Sequence, residues 1–227
     1  MTGIQTTQEE DVEYEDDIHL IIEYKTGDEW GALKTPRANR YILHHDRNNP
    51  MIKSLELLNS TIKDFNPRLF VVSGLQMMDN YPYADPAVRL ERLMGVKSQM
   101  TQHANLIHFE MASFVEIELL DLLLKNIIPY SDSLGMNEQE LDNILQVLEM
   151  GKISLSADSN PRVATALDQM RNVFKILNNN YFHSSLTDRK HRMLTRIHVH
   201  TLAYQAFMVV RNTEWKNTKH AAAKVCF

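Results

Sequence analysis

The spacing of apolar and polar positions divides the chain into two kinds of segment. Ile18 to Tyr24 (IHLIIEY) and Asn39 to His45 (NRYILHH) are short and rich in β-branched or aromatic residues. Between them lies Lys25 to Arg37, with two glycines and a proline. The pattern predicts two strands joined by a long loop. From residue 51 the period changes. Ile52, Leu55, Leu58 and Ile62 fall on one helical stripe, so Met51 to Phe65 reads as a helix. Arg68 to Val72 (RLFVV) is a continuous apolar strand stopped by Ser73-Gly74. Asp85-Pro86 supplies an N-cap and a first-turn proline for a helix to about Gln102. Ala104 to Glu110 predicts the next strand. Ser113 with Glu116 predicts a capping box for an apolar helix through Ile128. Asn137 to Met150 and Pro161 to Asn178 read as helices, Thr195 to His200 as a strand, and Leu202 to Val210 as a further apolar segment.

Apolar strands alternating with helices place the chain in the α/β class, with a parallel sheet covered by helices on both faces. Ligands of such sheets sit beyond the carboxyl ends of the strands. Those ends carry Ser73-Gly74, His108-x-Glu110 and His198-x-His200.

Composition narrows the function classes. A chain of 227 residues, 44% hydrophobic, can bury a core and holds one or two domains. The net charge of -5 counts against a nucleic-acid binder. The one basic cluster, Arg189-Lys190-His191-Arg192, reads as a solvated loop. No stretch reaches the roughly 18 apolar residues of a membrane span, and Met1 to Asp17 lacks the apolar core of a signal peptide. Residues 1–14 are predicted to be a disordered acidic lead-in. The single cysteine, Cys226, excludes an intrachain disulfide and a cysteine zinc site.

Four groups carry chemistry. His108 and Glu110 share one face of their strand, with Phe109 on the other. Glu110 can hold a magnesium-bound water and His108 can orient it, or both can simply be solvated at a strand end. Asn137 and Glu140 make a capping box at a helix start, which also attracts phosphate and can take a metal-bound water. His198 and His200 are a zinc fragment if His108 or Glu110 joins them, or line a nucleotide pocket. Gly74 lets the backbone turn sharply or approach a ligand, and Gln76 can hydrogen-bond a sugar or phosphate. Met77 and Met78 pack. Walker-type and Gly-rich dinucleotide loops are absent from the sequence.

Six blocks together resemble the central part of the ADP-dependent sugar kinases, in their eukaryotic ADP-dependent glucokinase branch. They are Glu15 to Tyr24, Ala38 to Ile42, Val71 to Met78, His108-Phe109-Glu110, Leu134 to Glu140 and Arg196 to Leu202, in family order. The resemblance implies a ribokinase-like three-layer α/β/α fold with a small β lid, truncated at both ends. Residues 15–48 would belong to the lid, 49–210 to the large nucleotide-binding domain, and 211–227 to a divergent tail. It implies phosphoryl transfer from ADP to glucose with Mg²⁺, giving AMP and glucose 6-phosphate. It assigns Glu110 and Glu140 to the metal and His108, Asn137, His198 and His200 to nucleotide and phosphate. Asn39, Arg40, Gly74 and Gln76 would stand on the substrate side.

The family's catalytic base is the Asp of a Gly-x-Gly-Asp, and no such motif occurs in this sequence. Asp28 follows a glycine, but in the lid loop. The chain is therefore read as a fragment or truncated isoform with little activity alone. Phosphofructokinase specificity and a non-catalytic nucleotide binder are the alternatives. Exposed sheet edges predict self-association. Animal relatives imply the endoplasmic reticulum or secretory route.

Overall fold

The computed structural model describes residues 18–36, 38–46, 48–102, 105–152, 161–184, 190–201 and 203–225. The stretch 1–14, Ala104 and Leu202 lie outside them. The chain divides at Pro50–Met51 into two compact units.

In the first unit, the two predicted strands, β1 (Ile18–Tyr24) and β4 (Asn39–His45), pair antiparallel. The intervening loop holds a small hairpin of β2 (Glu29–Trp30) and β3 (Leu33–Lys34). Gly27 allows the turn into it at φ 90°, and the Asp28 carboxylate accepts the Lys25 N–H at 2.7 Å.

The second unit contains α1 (Leu55–Phe65), β5 (Leu69–Val72), α2 (Pro86–Gln102), β6 (Leu106–Glu110), α3 (Ile117–Asn126), β7 (Ser133–Met136), α4 (Glu138–Met150), α5 (Val163–Ser184), β8 (Arg196–His200), β9 (Gln205–Val209) and α6 (Thr218–Val225). The five strands form one sheet in the order β5-β6-β7-β8-β9, parallel except for the β8–β9 hairpin. Crossovers between neighbouring parallel strands are right-handed, which sends α2, α3, α4 and α5 to one face. Ile107, Phe109, Leu134, Met136, Ile197 and Val199 point there. They form one buried cluster with Leu93 and Met100 of α2, Leu119 and Leu123 of α3, Leu141 and Ile144 of α4, and Met170 and Val173 of α5.

The opposite face carries the polar positions of the central strands. On β6 and β8, buried residues alternate with partly exposed ones, so these strands are not apolar on both faces. Leu69, Val71, His108, Glu110, Arg196, His198 and His200 stand on this second face. Here α6 packs against β9, and Ala222, Phe207 and Val209 line one cavity.

Other departures are local. Ile52 has φ 45°, a left-handed conformation that a helix interior excludes, so α1 begins at Leu55 and not Met51. The Ser113–Glu116 capping box does not form. Glu116 is itself the N-cap of α3, its carboxylate pairs with Arg89, and its N–H is taken by Asp79 at 2.9 Å. Ser113 turns to Glu140 instead. The sequence pattern missed β7, because four residues with a central glycine carry no periodic signal. Among the described residues, no helix is long and apolar enough to cross a membrane.

Candidate functional site

Three adjacent parallel strands end together and bring the site into one place. Glu110 closes β6, His200 closes β8, and Asn137 follows β7 directly as the N-cap of α4. Parallel pairing sets Glu110 opposite Gly135, and Gly135 opposite His198.

Glu110 lies between two histidines. Its Oε2 is 2.9 Å from His108 Nε2 and its Oε1 is 2.9 Å from His200 Nε2. Burial pushes the Glu110 carboxyl up. The hydrogen bonds and charges of the two histidines outweigh this and hold it below the ordinary carboxylate range. Glu110 is therefore an anion near neutral pH.

Gly135 makes this arrangement sterically possible. A Cβ there would sit 1.8 Å from Glu110 Oε2, 2.8 Å from its Cδ and 2.9 Å from His108 Cε1. The glycine is required by a neighbour's approach and not by a positive φ. It was invisible in the sequence because the register that sets it against Glu110 is a tertiary fact.

Asn137 and Glu140 form the reciprocal cap that their spacing predicts. Asn137 Oδ1 accepts the Glu140 N–H at 2.8 Å, and Glu140 Oε2 accepts the Asn137 N–H at 2.9 Å. Asn137 Nδ2 adds a bond to Glu140 Oε1 at 2.7 Å. Glu140 is only 6% exposed. Burial raises its pKa, against the bond from the Asn137 backbone and the nearby His200; the negative charge of Glu110 raises it further. Asn137→Ala removes the cap and a partner of a buried carboxylate. A loss of about 1 kcal/mol is expected, read as a lower urea midpoint at unchanged slope. An unchanged midpoint would show that the cap contributes nothing to the folded state.

His198 is drawn to β9. Its Nε2 lies 2.8 Å from Gln205 Oε1, and its ring stacks on Phe207 at 4.2 Å. Burial lowers its pKa, helped by the charges of Arg196 and His200 and opposed by Gln205. The zinc reading needed convergent lone pairs on His198, His200 and His108 or Glu110. The described residues hold no such group of three; His108 Nε2 and His200 Nε2 face Glu110, and His198 Nε2 faces Gln205.

Gly74 turns the chain after β5 at φ 82°, with no atom within 4 Å of where a Cβ would be. Its requirement is conformational. Gln76 follows in the turn Leu75–Met78 with its Oε1 buried and unpartnered, and Met78 packs in the core. Asn39 and Arg40 belong to the first unit, exposed on β4, where Asn39 Oδ1 accepts the Arg40 N–H at 2.9 Å. The site described here lies within the second unit.

Carboxylates offer the hard oxygens that Mg²⁺ selects. Each Glu110 oxygen uses one acceptor position on a histidine and keeps another. Glu140 is buried within the field of Glu110, a surplus of negative charge that a divalent cation would relieve. The donor set thus fits a magnesium ion held through water and substrate phosphates, the usual arrangement for that ion.

Residues 2–226 match the family described as "ADP-specific Phosphofructokinase/Glucokinase conserved region". The chain is 35% identical to ADP-dependent glucokinase of Bos taurus over 210 residues, covering 92% of this chain and 40% of that protein. It is 28% identical to the probable ADP-dependent glucokinase of Caenorhabditis elegans over 207 residues, covering 89% and 40%. Among solved structures it is similar to an ADP-dependent kinase in complex with fructose 6-phosphate and ADPbetaS. There the TM-score is 0.61 at 22% identity, over 90% of this chain and 43% of that one. That likeness bears on fold alone and places the sheet and its helices in the ribokinase-like architecture. The chain spans about two fifths of the curated relatives it matches.

Proposed function

Because the chain belongs to the ADP-specific phosphofructokinase/glucokinase family, we propose that it forms the metal and diphosphate side of an ADP-dependent glucokinase. The reaction is phosphoryl transfer from ADP to glucose, giving AMP and glucose 6-phosphate. One observation carries the reading: two carboxylates from different elements, Glu110 and Glu140, stand near the ends of neighbouring strands within range of each other's charge, each held by its own hydrogen bonds. Phosphoryl transfer depends on positioning and on neutralising the charge of the transferred group. When bound, Mg²⁺ supplies that neutralisation. Glu110 and Glu140 hold it through water, and the first turn of α4 presents backbone N–H groups to phosphate.

Glucose is favoured as acceptor because the bovine and nematode relatives are named glucokinases. The matching family covers phosphofructokinases as well, so fructose 6-phosphate is the alternative acceptor. The Gly-x-Gly-Asp base that the family resemblance implies is not among these 227 residues. Binding of the donor is the part of the reaction that this chain's residues address.

A thermal melt of the chain with ADP, ATP or AMP, with and without magnesium, tests the proposal. MgADP at about a hundred times its Kd should raise the midpoint by roughly 5–10 °C. ADP without magnesium should raise it less, and Glu140→Ala should abolish the difference. An equal shift in Glu140→Ala, or no response to MgADP, would remove these carboxylates from the site.

A further inference from the structure

A cavity lies at the opposite end of the sheet from Glu110 and His200. It is bounded by Ile128 and Pro129, just before β7, and by Leu194, just before β8. A strand rises by about 3.3 Å per residue, so the run from Leu194 through β8 to His200 separates the two places by roughly 20 Å. Helices α3, α4 and α5 wall the cavity, and its volume is about 540 Å³. That is the size of a site for a small organic molecule. Its floor is apolar, made by Leu124, Ile128, Val147, Leu148, Leu177 and Leu194. Ile128 and Leu194 are buried. Leu124, Val147, Leu148 and Leu177 are only half-buried, so each keeps apolar surface that a ligand can cover.

The charges at its rim do not balance. Glu118, Asp121, Lys125 and Arg192 line it. Lys125 is paired with Asp121, one turn earlier on α3. Arg192 donates to Asp132 at 2.6 Å and to the Asn105 carbonyl at 2.9 Å. Each lining cation thus has its own anion. Glu118 is left over, exposed in the first turn of α3, and among the described residues no ion pair or hydrogen bond holds its carboxylate. The end of α4 adds to the excess. It reaches the cavity at Val147, Leu148 and Gly151, and its last turn carries no basic side chain. The last carbonyls of a helix are the negative end of its dipole. Lys152 is exposed and is not part of the lining.

We propose that this cavity binds a small amphipathic amine, with an aryl or alkyl body on the leucine and valine floor and its ammonium group at Glu118. The body leaves water for an apolar wall, and the ammonium meets a carboxylate that nothing else neutralises. An anion of the same shape is repelled by Glu118 and by the end of α4. The inference goes beyond the kinase reading and does not depend on it, since no lining residue belongs to the site of Glu110 and Glu140.

Methyl NMR of the full chain tests the proposal with two probes of one shape, phenylbutylamine and phenylbutanoate. The amine should move the methyl signals of Val147, Leu148 and Leu177 with a Kd of about 1 mM, as suits so small a ligand, and leave Val72 of β5 in place. The carboxylate should bind about tenfold more weakly. Glu118→Gln changes an exposed side chain and keeps its shape. It should weaken the amine about threefold and leave the carboxylate no weaker than before. Cavity methyls unmoved at about 10 mM amine would overturn the proposal. So would shifts spread equally to Val72, equal affinity for the two probes, or an amine affinity unchanged in Glu118→Gln.

Discussion

Gly135→Ala is expected to uncouple magnesium from nucleotide while leaving a folded protein. The new methyl would lie 1.8 Å from Glu110 Oε2, far inside contact distance. Strand β7 cannot retreat, because it is paired with β6 on one side and β8 on the other. Glu110 can move, since it is a flexible side chain at a strand end. It must swing away from His108 and His200 and lose both bonds. Two hydrogen bonds to a charged group go, partly replaced by water, so a stability cost on the order of 1–3 kcal/mol follows. The larger effect is on binding. Displacing a group that holds or orients a metal costs roughly 10- to 100-fold in metal affinity. In the melt experiment the extra shift from magnesium with ADP should collapse while the transition stays cooperative. A full magnesium-dependent shift in Gly135→Ala would mean that Glu110 is not a metal group.

Phe109→Ala should produce the largest loss of stability. Phe109 lies between His108 and Glu110 in sequence but points to the other side of β6, fully buried in the cluster under α2 to α5. Removing the ring subtracts its burial and leaves a cavity that packed helices fill incompletely, for about 3–5 kcal/mol. That is a large part of the roughly 5–15 kcal/mol a domain possesses. Urea unfolding measures it as a displaced midpoint with the slope preserved. A cost below about 1 kcal/mol would show that this face is not the packed one.

The two substitutions, on the neighbouring strands β7 and β6, mark what could be read in advance. Alternation assigned His108 and Glu110 to one face and Phe109 to the other, because side-chain direction in a strand has a period of two. The spacing of Asn137 and Glu140 announced their cap, because a helix start is closed by residues three apart. Strands β1, β4, β5, β6 and β8 and helices α2 and α4 were legible for the same reason: their signals are local and repeat within a few residues. The short strand β7 was not, and its four residues contain both Ser133 and Gly135.

What the sequence determined by itself was the class of fold, the face on which each polar group stands and the family to which the blocks belong. The tertiary structure decided which groups meet. Register set Gly135 beneath Glu110. It also set Ser133 between His108 and Arg196, and the β8–β9 hairpin drew His198 to Gln205 and Phe207 and away from Glu110. The placing of α2, α3, α4 and α5 in one cluster on one side of the sheet was also decided there. The Ser133–His108 and Glu110–His200 contacts join residues 25 and 90 positions apart. No local propensity encodes such a distance, and only the pairing of whole strands brings it to 2.9 Å.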